Sequence, residues 1–199
     1  PEILPRDVLE RRELPDRPRA VAAMHRPEDT EQWDAARRRM AYEECFLMQL
    51  GIALNRIRRV SRPAHALTRT DEIDRRIRAR FGFALTAAQN RAVEDIAADV
   101  ARERPMNRLL QGDVGAGKTV VALYAALLAV ANRAQAAIMA PTEILAAQHY
   151  RNIQAYLEGS RVRTALLVGG QNPKQRKRLL DGLAAGSIDI VVGTHALIT

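Results

Sequence analysis

Cysteine is nearly absent. Cys45 is the single one in 199 residues, so no internal disulfide can form, and a reducing compartment fits. Aromatic residues make up 4% of the chain, which leaves Ala, Leu, Val and Ile to build the core. No stretch reaches the roughly 18 uninterrupted apolar residues that a membrane span requires. No signal-peptide pattern follows Pro1. There is no internal repeat and no low-complexity segment beyond a richness in alanine. Lysine is scarce as well: Lys118, Lys174 and Lys177 stand against 28 arginines.

What is present is globular, with 47% hydrophobic and 27% charged residues. The length suits one or two domains with a real core. A formal charge of +8 favours nucleic acid or another polyanion as a partner. The arginine and alanine bias also fits a genome-composition effect, which raises the pI without any ligand. The chain starts at Pro1 without a methionine and stops just past an apolar stretch, "IDIVVGTHALIT". It is therefore expected to be a piece cut from something longer.

Prolines 1, 5, 15, 18 and 27 punctuate the first 28 residues, which reads as an irregular or short-helical connector. A long helix follows. Trp33, Met40, Leu47, Leu50, Leu54 and Ile57 recur at helical spacing and predict one buried apolar face. Arg37, Arg38, Arg39, Arg56, Arg58 and Arg59 lie off that seam and read as a solvated face or a nucleic-acid contact. Thr70 caps a predicted short helix from Asp71. Thr86 and Gln89 have capping-box spacing ahead of a stripe of Val93, Ile96 and Val100. From Asn107 onward, apolar strands ("RLLQG", "AAIMA", "RVRTALLVG", "IDIVVGT") alternate with predicted helices. This predicts an α/β fold with a parallel sheet covered by helices.

"LLQGDVGAGKTVVALYAALLAV" carries the chemistry. Gly112, Gly117, Lys118 and Thr119 match G-x-x-x-x-G-K-[ST], between a predicted strand and a predicted helix. Backbone N–H groups of such a turn point inward, and the helix N-terminus adds positive potential, so the loop can cradle phosphates. Gly115 and Gly117 let backbone approach an anion with no Cβ in the way. Lys118 reaches the β- and γ-phosphates and the Thr119 hydroxyl joins a Mg²⁺ shell. A glycine turn capping a helix explains the glycines but not one of three lysines placed beside a threonine. Gln89 can also offer an acceptor and a donor to an adenine edge. Phe83 can stack on a base or pack in the core. Thr142 can cap the helix after "AAIMA", and helix N-termini bind backbone phosphates. Thr194 and His195 follow "IDIVVG" at the same end of the sheet, where ligands of open parallel sheets gather. The helix bearing Lys174, Arg176, Lys177 and Arg178 reads as a solvated face.

The segments "FALTAAQ", "LLQGDVGAGKTVVA", "MAPTEILAAQHY" and "VVGTHALI" follow one another in this order. In them the chain resembles superfamily 2 DNA helicases, and within these the RecG family of branch-migration helicases. The residues "PEILP…HRPED…ARRRMAYEECFLMQLGI" resemble the stretch joining that family's wedge to its motor. The resemblance implies a helical connector over 1–60 and an incomplete first RecA-like domain over 61–199. It implies an ATP- and Mg²⁺-dependent helicase that remodels forked and four-way DNA in recombination and repair. It further implies a monomer in the bacterial cytoplasm, with DNA and no membrane as partner. The residues implied for nucleotide are Phe83, Gln89, Gly112, Asp113, Val114, Gly115, Ala116, Gly117, Lys118 and Thr119. Lys118 and Thr119 act on the reacting phosphates, Thr119 serves the metal, and Thr142, Thr194 and His195 serve DNA. Asp113 and Val114 carry no generic phosphate chemistry; they are what narrow the family. No Asp–Glu pair follows a strand after the loop, and no second motor domain supplies arginines, so these residues are expected to bind ATP weakly and to hydrolyse it negligibly. The rival readings are the motor of a transcription–repair coupling factor, a non-motor ATP switch, and a DNA-binding module without nucleotide.

Overall fold

Helices alone build Pro1–Arg62, and helices around a parallel sheet build Pro63–Thr199; the chain divides into these two units. The computed structural model describes residues 1–198, with every side chain among them except those of Arg59 and Val60. The expectation for the Arg59 side chain therefore lies outside the described residues.

The first unit holds α1 (Arg6–Arg12), α2 (Arg17–His25) and α3 (Thr30–Val60). Asp16 caps α2 by accepting from the Arg19 N–H at 2.9 Å, and Pro18 sits in its first turn. Helix α2 packs on the first half of α3 through small residues: Ala20, Ala23 and Ala36 are buried, with Met40 against them. Two expectations are corrected here. Arg39 is not on a solvated face. It is fully buried, and it donates to Glu43 at 2.6 Å and to Glu2 at 2.5 Å. Alanines at the α2–α3 contact leave room for the guanidinium, and the two carboxylates supply the charge that a buried arginine requires. Glu2 is held at about 2: burial opposes ionisation, but the N–H groups of Leu4, Arg17 and Ile3 and the Arg39 charge outweigh it. The predicted seam also fails to stay buried. Leu47, Leu50, Leu54 and Ile57 are exposed, because the nine residues of α2 end before them.

The second unit begins with α4 (Asp71–Arg78), α5 (Ala87–Val100) and α6 (Lys118–Ala131). Strands β1 (Ala136–Met139), β2 (Thr164–Leu167) and β3 (Ile190–Gly193) then alternate with α7 (Glu143–Tyr156) and α8 (Pro173–Ala184). The sheet is parallel in the order β1-β3-β2, so the α/β fold with helices covering a parallel sheet is as expected. Met139, Gly193 and Leu167 are aligned across the sheet. The three strands thus end at one level. Leu123, Leu128, Ile153, Ile190, Val93 and Val192 make the fully buried centre between α5, α6, α7 and the sheet. Helix α6 is apolar nearly all round, as a helix buried on several sides must be.

The predicted strand "RLLQG" does not form. Residues 107–112 lie outside any ladder, and Leu109 is 85% exposed although Leu110 packs on the core. Apolar character makes a segment able to pair, but a strand exists only where a neighbour accepts and donates the backbone hydrogen bonds. Among the described residues β1 pairs on one side only, with β3.

A polar cluster ties α4 and α5 to α6. The Tyr124 hydroxyl donates to Asp74, as do Arg78 at 2.7 Å and Arg69 at 3.1 Å, and Arg69 also donates to Glu94 at 2.6 Å. Burial by itself would raise the Asp74 pKa. The hydrogen bonds from Tyr124 and Arg78 and the two arginine charges overcome that and hold it below the ordinary value. The stability this carboxylate contributes is therefore present above its unfolded pKa of about 3.9 and disappears as pH falls through the lower folded value. Asp74→Asn is expected to cost about 2 kcal/mol at pH 7, or roughly 6 °C in melting temperature. In thermal melts the gap to the unaltered chain holds from neutral pH down to about pH 5 and closes in strong acid. Equal melting at pH 7 would show that the cluster is dispensable.

Candidate functional site

The turn from Gly112 to Thr119 has the backbone a phosphate cradle requires. Gly115 (φ 85°) and Gly117 (φ 76°) adopt the left-handed conformation. Gly117 is the N-cap of α6, so Lys118 and Thr119 open the helix, where free N–H groups and the dipole favour an anion. A Cβ at Gly117 would collide with the Gln89 side-chain nitrogen. At Gly112 a Cβ would make only ordinary contacts, 3.5 Å from the Ala116 Cβ and 3.9 Å from the Lys118 Cγ. Asp113, Val114 and Ala116 are exposed on the outside of the turn, and the Val114 side chain packs on nothing. The Lys118 ammonium donates to the Gly112 and Asp113 carbonyls, each at 2.7 Å. It is folded over its own loop, with a third N–H to spare. Thr119 is half-buried beside it.

Gln89 does two things at once. Its Oε1 accepts from the Thr86 N–H at 2.9 Å, and the Thr86 hydroxyl accepts from the Gln89 N–H at 3.2 Å, which completes the capping box of α5. Its Nε2 donates to the Ala116 carbonyl at 3.0 Å. Helix α5 is thereby pinned to the glycine-rich turn, a tie that sequence spacing alone does not show. One amide hydrogen and one lone pair remain for a ligand. Phe83 is 50% exposed and tilted against Phe81 at 6.2 Å between ring centres. Phe81 is the ring buried in the core, edge-on to Tyr156.

The other candidates gather beyond the strand ends. Thr142 caps α7 by accepting from the Leu145 N–H at 3.3 Å. Thr194 follows β3 directly, and its N–H donates to the Leu167 carbonyl at 3.3 Å. His195 opens a short 3-10 helix, His195–Leu197. Glu143 accepts from the Gly169 N–H at 2.9 Å and so joins the β1–α7 turn to the loop after β2. Its position next to the capping threonine is the only sequence hint of that bond. The other acids after the loop serve elsewhere: Asp189 binds Arg163 before the strands begin, and Glu158 and Asp181 accept no side-chain partner among the described residues. Among the described residues no group of three or more His, Cys, Asp or Glu is placed to hold a metal ion. A cleft of about 530 Å³ opens at the opposite end of the sheet, over Ile77, Leu127, Leu157 and Asp189, and touches none of the candidate residues.

Residues 86–199, more than half of the chain, match the DEAD/DEAH box helicase family. The chain belongs to that family. The match takes in the capping box, the glycine-rich turn and the three strand ends of this helicase domain. It is 45% identical over 202 residues to the ATP-dependent DNA helicase RecG of Bacillus subtilis, covering 100% of this chain and 29% of that protein. Against the same helicase of Synechocystis sp. the identity is 40% over 196 residues, covering 98% and 24%. A solved structure of RecG bound to a three-way DNA junction superposes with a TM-score of 0.79 at 41% identity, over 99% of this chain and 27% of that one. The helicase domain and its preceding helices thus span 24–29% of these RecG proteins. No described helix is long and apolar enough to cross a membrane.

Proposed function

We propose that this chain is the ATP-binding part of a DNA helicase that remodels forked and four-way junctions. The observation that carries the reading is the phosphate turn itself, with Lys118 folded over the two carbonyls that begin it. The residues fit a triphosphate: two left-handed glycines, a helix opening at Lys118, and a close approach at Gly117 that excludes a side chain. Lys118 would exchange its carbonyl partners for phosphate oxygens, and the Thr119 hydroxyl would hold Mg²⁺. Gly112, Asp113, Val114, Gly115, Ala116 and Gly117 shape the cradle. Gln89 and Phe83 stand ready for the base, Gln89 with its unused amide atoms and Phe83 with its exposed face. Hydrolysis of the bound nucleotide supplies the free energy for movement along DNA. Thr142, Thr194 and His195 grip the track, since all three follow strands that end at one level. The similarity to RecG over nearly the whole chain supports the junction as substrate. We place the protein as a monomer in the bacterial cytoplasm, in keeping with its bacterial relatives and its single cysteine.

The test is strand separation on a forked DNA by the whole protein with ATP and Mg²⁺. Conversion of the fork that stops when ATP is replaced by a non-hydrolysable analogue is expected. Tight ATP binding without any conversion would return the protein to the non-motor switches.

A further inference from the structure

Helix α8 places its charges against its own dipole. Lys174, Arg176, Lys177 and Arg178 fall within its first six residues, its first turn has no acid, and its one acid, Asp181, comes later. Helix α4 of the same unit does the reverse, with Asp71, Glu72 and Asp74 first and Arg75, Arg76 and Arg78 last. Cations at a helix N-terminus are repelled by the partial positive charge there, so the α8 arrangement does not serve the helix.

Nor do three of these cations, Lys174, Lys177 and Arg178, serve the tertiary fold. Lys174, Lys177 and Arg178 lie at i, i+3 and i+4, on one face, and all three are exposed. Among the described residues none of the three enters an ion pair, although thirteen such pairs engage arginines elsewhere. Lys174 and Lys177 are also two of only three lysines in a chain with 28 arginines, the third being Lys118 of the phosphate turn. The like charges repel one another, and a polyanion laid along the face reverses that sign.

The position of this face selects the polyanion. Arg176 turns away from it and donates to the Ala196 carbonyl at 3.5 Å, which holds the start of α8 beside Thr194 and His195. On the other side, Gly169 in the loop leading to α8 is bonded to Glu143, next to Thr142. The start of α8, with Lys174 in its first turn, therefore lies at the level at which the three strands end. We infer that Lys174, Lys177 and Arg178 contact the phosphate backbone of the DNA and extend the track beyond Thr142 and Thr194. This rests on the DNA reading proposed above, and it makes α8 a backbone contact without sequence preference.

The test uses the 199-residue chain and a fluorescent single-stranded oligonucleotide, with anisotropy titrations at several salt concentrations. For Lys174→Ala/Lys177→Ala the affinity at low salt is expected to fall about tenfold. The slope of log K against log salt should become shallower by about 1.4, since each single-strand phosphate contact contributes about 0.7. Arg75→Ala/Arg104→Ala removes the same charge from exposed positions elsewhere, and its slope should stay unchanged. Alanine suits a helix surface, and a thermal melt confirms that each variant is folded. If the α8 pair behaves like the control pair, the inference is overturned while the DNA reading stands. If the unaltered chain binds no DNA at any salt, both fall.

Discussion

Lys118→Ala weakens ATP binding by about a hundredfold and leaves the fold standing. The lysine ammonium is the one cation in the turn, and a charge-assisted bond to phosphate contributes about 1.5–3 kcal/mol. Its present partners, the Gly112 and Asp113 carbonyls, are exposed, so water replaces the ammonium there at little cost. The loss should therefore appear in titrations with a fluorescent ATP analogue and hardly at all in thermal melts, where a shift within about 1 kcal/mol is expected. Lys118→Arg should not restore binding, because a planar fork does not fit where a compact ammonium curls back over the turn. The whole protein carrying Lys118→Ala should fail to separate a fork. Unchanged affinity for the analogue would falsify the assignment of the turn to phosphate.

Gly117→Ala should be nearly as damaging, for two separable reasons. The residue sits at φ 76°, where an L-side chain costs about 1–2 kcal/mol. Its Cβ would also meet the Gln89 side-chain nitrogen, which must then give up the Ala116 carbonyl and strain the capping box of α5. We expect a total loss of about 3 kcal/mol in stability, together with weaker nucleotide binding. The second reason disappears if Gln89 is shortened first. In a double-mutant cycle, Gly117→Ala in the Gln89→Ala background should cost about 1 kcal/mol less than in the unaltered chain. Additive losses by urea denaturation would show that the two residues do not meet.

Much of the candidate site was legible because it is local. The glycines, Lys118 and Thr119 lie within eight consecutive positions, and a phosphate cradle is made by consecutive backbone. The capping box at Thr86 and Gln89 and the caps at Thr70 and Thr142 spend one side chain on an N–H three residues away, so spacing announces them. The misread segments all depend on distant partners. "RLLQG" has a strand's composition but no ladder among the described residues. Leu47, Leu50, Leu54 and Ile57 keep a helical period, yet what covers a face is decided by another element, and α2 is too short. Arg39 is buried because two acids converge on it, one of them 37 positions away.

The sequence by itself determined where α4, α5 and α6 begin, that strands and helices alternate after Asn107, and that a glycine-rich turn opens α6. Each of these follows from short-range sterics, caps and hydrophobic period. Tertiary structure alone decided that β3 lies between β1 and β2, which aligns Thr142, the Gly169 loop and Thr194 at one edge. It alone set Gln89 against the turn across 27 positions and left Lys174, Lys177 and Arg178 without an ion pair among the described residues. Those facts come from backbone pairing and side-chain contact between segments far apart in the chain, and no local rule of spacing contains them.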